Sequence, residues 1–122
     1  MAAMRIGIDL IEIDRVARAL VRHPRFVDRV FTSAERDYCL SRPNPPQHFA
    51  ARFAGKEAVG KALGFGVPFT WREIEIVGRP KPGVSLSGRT AAWATRVDAG
   101  GIDLSMTHSK GMAAAVAIVH DR

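Results

Sequence analysis

The stretch from Gln47 to Gly64, QHFAARFAGKEAVGKALG, restricts this chain more than any other. It reads as one helix, because no proline interrupts it and the terminal Gly64 suits the position just past a helix end. At about 100° per residue, Phe49, Ala50, Phe53, Ala54, Ala58 and Ala62 gather on one side. Glu57 and Lys61 point within about 20° of Ala50, so two ionisable side chains fall in the middle of the face expected to be buried. Arg52 and Lys56 fall off that face and are expected in solvent. An i, i+4 pair such as Glu57 and Lys61 is ordinary on an exposed helix, where it stabilises by only about 0.2–0.5 kcal/mol. On an apolar face each charge needs further partners, since uncompensated buried charge is costly. Pattern alone leaves a functional site and a plain ion pair both open.

The chain has 122 residues, which makes one domain, 1–122, with length for a core but not for two. Lys and Arg total 18 against 12 Asp and Glu, and the net charge of +6 favours an anionic partner: a nucleic acid, a phosphorylated small molecule or an acidic protein. The single cysteine, Cys39, excludes an intrachain disulfide and fits a reducing compartment. It reads as a half-buried small apolar residue, since no histidine stands near it in a nucleophile signature. The N-terminal MAAMRIGIDL lacks the charged region and continuous apolar core of a secretion signal, and no apolar run reaches membrane-spanning length. Cytoplasm is the expected compartment.

Arg5 to Leu10 reads as a strand, with Ile6, Ile8 and Leu10 on one face and Gly7 and Asp9 on the other. Asp9 thus sits among aliphatics at a strand end, where functional groups are often presented. It also has capping-box spacing to Glu12 and can instead cap the following helix. That helix runs from Ile13 to His23, with Ile13, Val16, Ala17, Leu20 and Val21 inward and Arg15, Arg18 and Arg22 elsewhere, until Pro24 interrupts it. Its basic side, continued by Arg25 and Arg29, is either a solvated face or a docking surface for an acidic partner. Thr32 and Glu35 form a second capping-box candidate, opening a short helix toward Leu40. Ser41 to Pro46 is a proline-rich loop leading into the central helix.

After Gly64, Phe65 to Phe69 is expected to turn tightly. Ile74 to Val77 and Val84 to Leu86 are strand-like, separated by the loop Gly78 to Gly83. Arg89 to Ala99 is a helix ended by Gly100 and Gly101. Ile102 to His108 and Met112 to His120 are strands joined by a short connection at Ser109, Lys110 and Gly111, suited to a hairpin. The last strand, MAAAVAIV, is apolar throughout and is expected to be central in a sheet or buried against another subunit. The predicted architecture is α+β, a small, mostly antiparallel sheet packed with a long central helix.

Four groups stand out: Asp9 and Glu57 in apolar settings, Lys61 beside Glu57, and His108 at a strand end. Two carboxylates with positions left for water and phosphate oxygens are a usual way to hold Mg²⁺, and a lysine one helical turn away supplies a point charge for phosphate. His108 by itself is more often a turn residue. Generic spacing leaves several metal-dependent chemistries open.

Three blocks, GIDLIEIDRV from Gly7, RFAGKEAVGKALG from Arg52 and SMTHSKGMAAAVAIV from Ser105, jointly resemble the short bacterial holo-[acyl-carrier-protein] synthases, a family of 4′-phosphopantetheinyl transferases. The blocks span nearly the whole chain in the family's order. The resemblance implies a 4′-phosphopantetheinyl transferase-like fold and a homotrimer with active sites between subunits. It implies that Asp9 and Glu57 ligate Mg²⁺ on the pyrophosphate of coenzyme A, with Lys61 on the same phosphates. A serine hydroxyl of apo-acyl carrier protein would then attack the β-phosphate, releasing adenosine 3′,5′-bisphosphate in support of fatty acid biosynthesis. By the same resemblance Glu57 is a candidate to deprotonate the serine. Thr107 and His108 match a segment near the nucleotide, Arg52 and Gly64 match coenzyme A contacts, and Arg15, Arg22 and Arg25 match positions facing the acidic recognition helix of the carrier.

Two departures stand out. Gly60 replaces a side chain that relatives often carry, and the loop RPNPPQ holds fewer positive charges than some relatives place there. Two other readings compete. A basic nucleic-acid-binding module explains the charge but not the carboxylates on apolar faces, and the aromatics form no stacking motif. A Mg²⁺-dependent phosphohydrolase would use the same carboxylates.

Overall fold

Ten helices and strands are present in the computed structural model, which describes residues 4–64, 70–78 and 81–122. Strand β1 is Met4–Glu12, followed by helices α1 (Ile13–Arg22), α2 (Phe26–Val30), α3 (Ser33–Ser41) and α4 (Pro45–Ala62). A 3₁₀ turn at Trp71–Glu73 leads into β2 (Ile74–Val77) and β3 (Gly83–Leu86). Helix α5 (Gly88–Arg96) precedes β4 (Ala99–His108) and β5 (Met112–Asp121). The sheet order is β1-β5-β4, antiparallel throughout, with β2 and β3 forming a separate antiparallel pair. The expected α+β architecture is present, and the alanine-rich last strand is central.

Helix α4 crosses the inner face of the three-stranded sheet. Ala113, Ala115, Ala117 and Val119 of β5 alternate inward and are buried, and their small side chains leave room for the helix backbone. Gly7 of β1 makes the approach closer still. A Cβ there would overlap the Ala58 carbonyl oxygen, so β1 and α4 touch backbone to backbone. Around α4, one apolar cluster joins Val59, Leu63, Ile74, Ile76 and Leu104, and another joins Val16, Val30, Phe31, Phe49 and Ala50.

Because α4 is wrapped on most sides, its apolar stripe is a poor guide to burial. Arg52 and Lys56, expected in solvent, are both buried. Lys56 Nζ lies 2.7 Å from Glu35 Oε1 with both side chains at 0% exposure. It also donates to the carbonyls of Trp71 and Ile74, while Glu35 Oε2 accepts from Ile76 N. All three ammonium donors are used, which makes burial of the charge tolerable. Conversely, Lys61, expected mid-face, lies at the rim with its side chain 53% exposed.

Several boundaries differ from expectation. Helix α4 starts at Pro45, because prolines suit the first helical positions where no N–H is needed, so the preceding loop shrinks to three residues led in by Asn44 at φ 63°. Gly64 stands just past the helix end at φ +79°, as predicted. Strand β1 runs on to Glu12, which caps α1 without a side-chain bond, so Asp9 is no cap. Thr32 and Glu35 do form the capping box. Val21, expected inward, is exposed, because α1 buries a narrow stripe around Val16. Helix α5 ends at Arg96, stopped by Asp98 at φ 62°, and Gly100 and Gly101 belong to an irregular start of β4. Cys39 is fully rather than half buried, and burial raises its thiol pKa to about 11. The turn expected over residues 65–69 lies outside the described residues.

Candidate active site

Asp9 and Glu57 come from different elements to one pocket. The inward alternation of β1 aims Asp9, in register with Ala115 and Met106, toward α4. Both carboxylates line a cavity of about 390 Å³ with Ile11, Arg15, Val16, His23, Phe26 and Phe53. Lys61 Nζ donates to Asp9 Oδ1 at 3.2 Å and to the Ile8 carbonyl at 2.9 Å, bridging the end of α4 to β1. Burial and the neighbouring Asp9 charge raise the Glu57 pKa above its ordinary value, with Lys61 opposing. The wall beyond the carboxylates is aromatic: Phe53 stacks on Trp71 at 4.7 Å, and Phe26 lies 6.0 Å from Phe53. Arg15 therefore belongs to the carboxylate pocket as well as to the basic side of α1, which spacing alone did not reveal. Arg25 lines an adjoining cavity of about 490 Å³ with His23, Arg29 and Trp71, and Arg22 is exposed at the end of α1.

The remaining candidates lie elsewhere in the chain. His108 ends β4 and its Nε2 is 2.9 Å from Gln47 Nε2, near the start of α4. Nearly three helical turns, about 15 Å, separate Gln47 from Glu57 along α4. Thr107, next in the strand, falls on the opposite face of the sheet, in register with Ala114 and Leu10. Arg52 lies with its guanidinium 4.0 Å from the Tyr38 ring centre, beside Arg42 and His48, and its buried Nε has no hydrogen-bond partner among the described residues. Desolvation, Arg52 and Arg42 depress the His48 pKa. Gly64 is exposed, and among the described residues nothing lies within 4 Å of a Cβ built on it. Gly60 is buried in α4.

The outer face of the sheet is apolar and uncovered. Ile6, Ile8 and Leu10 are 64–66% exposed, and their cross-strand partners Ile118, Val116 and Ala114 continue the surface. Aliphatic residues of β1 thus face outward while Gly7 and Asp9 face the core, because only the glycine face can accept α4.

The donor chemistry of Asp9 and Glu57 fits a hard divalent cation. Two carboxylates share one pocket, where the Asp9 charge raises the cost of ionising Glu57 and Lys61 opposes it. Among the described residues no third His, Cys, Asp or Glu completes a metal-holding group with them, so other oxygen ligands would come from water and a phosphate.

The sequence pattern of the 4′-phosphopantetheinyl transferase superfamily matches residues 5–117. The chain is 48% identical over 121 residues to a holo-[acyl-carrier-protein] synthase of Moorella thermoacetica, covering 95% of this chain and 93% of that protein. Identity to the holo-[acyl-carrier-protein] synthase of Salinispora arenicola is 43% over 115 residues, covering 93% of this chain and 94% of that protein. In fold, the chain matches a holo-(acyl-carrier-protein) synthase from Bacillus anthracis crystallised in complex with CoA (3′,5′-ADP). That match has a TM-score of 0.80 and 30% identity, and covers 98% of this chain and 100% of that one.

Proposed function

Given that this chain belongs to the 4′-phosphopantetheinyl transferase superfamily, we propose that it transfers 4′-phosphopantetheine from coenzyme A to a serine hydroxyl of an apo-acyl carrier protein, in the cytoplasm and in support of fatty acid biosynthesis. The observation that carries this reading is the convergence of Asp9 and Glu57 on one pocket that Arg15 of the basic helix also lines, with Lys61 bonded to Asp9. No helix among the described residues is long and apolar enough to cross a membrane.

Asp9 and Glu57 would hold Mg²⁺, which when bound neutralises phosphate charge. Lys61 exchanges its contacts with Asp9 and the Ile8 carbonyl for a pyrophosphate oxygen. Arg15, Arg22 and Arg25 steer and orient the acidic carrier so that its serine reaches the pocket. The serine oxygen then bonds to the β-phosphorus, and the bridging P–O bond breaks toward adenosine 3′,5′-bisphosphate. Glu57 is the candidate to take the serine proton as that bond forms.

Thr107, His108, Arg52 and Gly64 serve the nucleotide and phosphate end of coenzyme A in this reading. Thr107 lies on the same outer face as Ile8 and Leu10, so a second copy covering that face would meet it. An apolar face of this kind supports assembly into the homotrimer, with sites completed between subunits.

Mass spectrometry of apo-carrier protein incubated with coenzyme A and Mg²⁺ tests the reaction. Transfer adds the pantetheine arm, and an unchanged carrier with hydrolysed coenzyme A would replace this reading with a phosphohydrolase. Asp9→Asn is expected to abolish the adduct while leaving the circular dichroism spectrum intact. Full transfer by that variant would remove Asp9 from the site.

A further inference from the structure

The last turn of α4 is held from two sides. Toward β1, Lys61 reaches Asp9 and the Ile8 carbonyl. Toward α5, Trp93 Nε1 donates to the Leu63 carbonyl at 2.7 Å. Leu63 caps α4 and is 1% exposed, so its carbonyl, one of those a helix end leaves without an intrahelical donor, would otherwise be starved of water.

Helix α5 is a firm anchor for this bond. At its start Glu73 Oε1 accepts from Thr90 N and Thr90 Oγ1, at 3.0 and 2.9 Å. Just past its end, the carbonyls of Val97 and Asp98 accept from Arg5 Nη1 and Arg122 N. The indole therefore comes from an element pinned at both ends to other parts of the fold.

We propose that Trp93 is a positioning residue for the coenzyme A end of α4: its indole N–H holds the turn carrying Lys61 and Gly64 in place while Lys61 turns to the ligand. The inference rests on the reading of Lys61 as a phosphate contact. When Lys61 gives up Asp9 and the Ile8 carbonyl for phosphate, its side-chain tether to β1 is lost, and the indole bond from α5 remains beside the backbone packing of Gly7 on Ala58 and Ala62. A turn free to fray at that moment would spread the ammonium over many positions, and ordering it again would be charged against binding. Coenzyme A affinity should therefore depend on the indole donor, and affinity for the carrier protein should not.

The test compares Trp93→Phe, which keeps a ring and removes the donor, with Lys61→Ala and the parent enzyme. Coenzyme A binding is read by calorimetry, KM is measured for both substrates, and amide hydrogen exchange is followed at Leu63 and Gly64. Those two amides bond to the Val59 and Lys61 carbonyls and report fraying of this turn directly. For Trp93→Phe the expected result is coenzyme A affinity weakened roughly 2- to 10-fold, the range of one net hydrogen bond, with KM for the carrier unchanged. Exchange at Leu63 and Gly64 should accelerate by a similar factor while mid-helix amides stay protected. Unchanged affinity and exchange would overturn the proposal, as would a fall in kcat with both KM values unchanged, which marks a smaller folded fraction. If Lys61→Ala alone left coenzyme A binding intact, the reading of Lys61 would fall, whereas an effect of Lys61→Ala without one of Trp93→Phe would remove only the tether. Should Trp93→Phe fold poorly, β-(3-benzothienyl)alanine at position 93, in a Trp71→Phe background, keeps the indole shape without the N–H and is judged by the same outcomes.

Discussion

Lys56→Met is expected to be among the most destabilising single changes in this chain, and the structure indicates its size. The substitution keeps much of the side-chain length but removes the ammonium from a site where both it and Glu35 are inaccessible to water. Glu35 would keep the backbone N–H groups of Thr32 and Ile76, yet lose its counter-charge, and the Trp71 and Ile74 carbonyls would lose a donor. Removing one partner of a buried pair costs about 3–5 kcal/mol. A chain of this length has a total stability of roughly 5–15 kcal/mol, so the loss is a large share of it. At about 3–5 °C per kcal/mol for a domain of this size, the melting midpoint should fall by about 9–25 °C. Urea unfolding followed by circular dichroism reads the difference as a shift in midpoint at constant slope. Glu35→Gln should also be costly, because Glu35 accepts at both oxygens and an amide nitrogen at either position faces a donor. The double variant should then lose less than the sum of the two singles by at least about 1 kcal/mol. A loss under about 1 kcal/mol for Lys56→Met would refute the reasoning, since it would mean water or a rearranged neighbour replaces the ammonium freely.

Gly7→Ala should cost about 3 kcal/mol or more, since the new methyl meets the Ala58 backbone; a urea midpoint within error of the parent would show that α4 can retreat from β1. Glu57 has its folded pKa raised above the ordinary 4.5, so its ionisation works against the fold: stability is fully present below the unfolded value and is lost as pH rises through the folded one. Without divalent cations, Glu57→Gln should therefore melt higher than the parent at pH 7, with the gain vanishing near pH 4, and a pH-independent difference would contradict the assignment. Arg22→Glu should raise KM for the carrier protein about ten-fold with little change for coenzyme A, and added salt should mimic part of this in the parent. An unaltered KM on reversing Arg15, Arg22 and Arg25 together would move carrier docking away from α1.

The parts of this protein that depend on neighbours in sequence were legible from the chain itself. The capping box at Thr32 and Glu35, the left-handed Gly64 past α4, and the hairpin of β4 and β5 follow from local rules of backbone and side-chain geometry. The candidate pair Asp9 and Glu57 was legible for a different reason: carboxylates in apolar surroundings are conspicuous because they are costly. What the sequence could not give was which side of each element faces what. On β1 the pattern separates an aliphatic face from the face of Gly7 and Asp9 without saying which packs inward, and Gly7 decides the matter, because a helix can press against a strand only where no Cβ stands in its way. On α4 a one-sided stripe predicted solvent for Lys56, whereas the capping glutamate of the preceding helix α3 and two carbonyls before and within β2 surround it. Periodicity records how one element divides its own residues between two sides. The environment of each side belongs to the elements packed there, and only the tertiary structure brings those together.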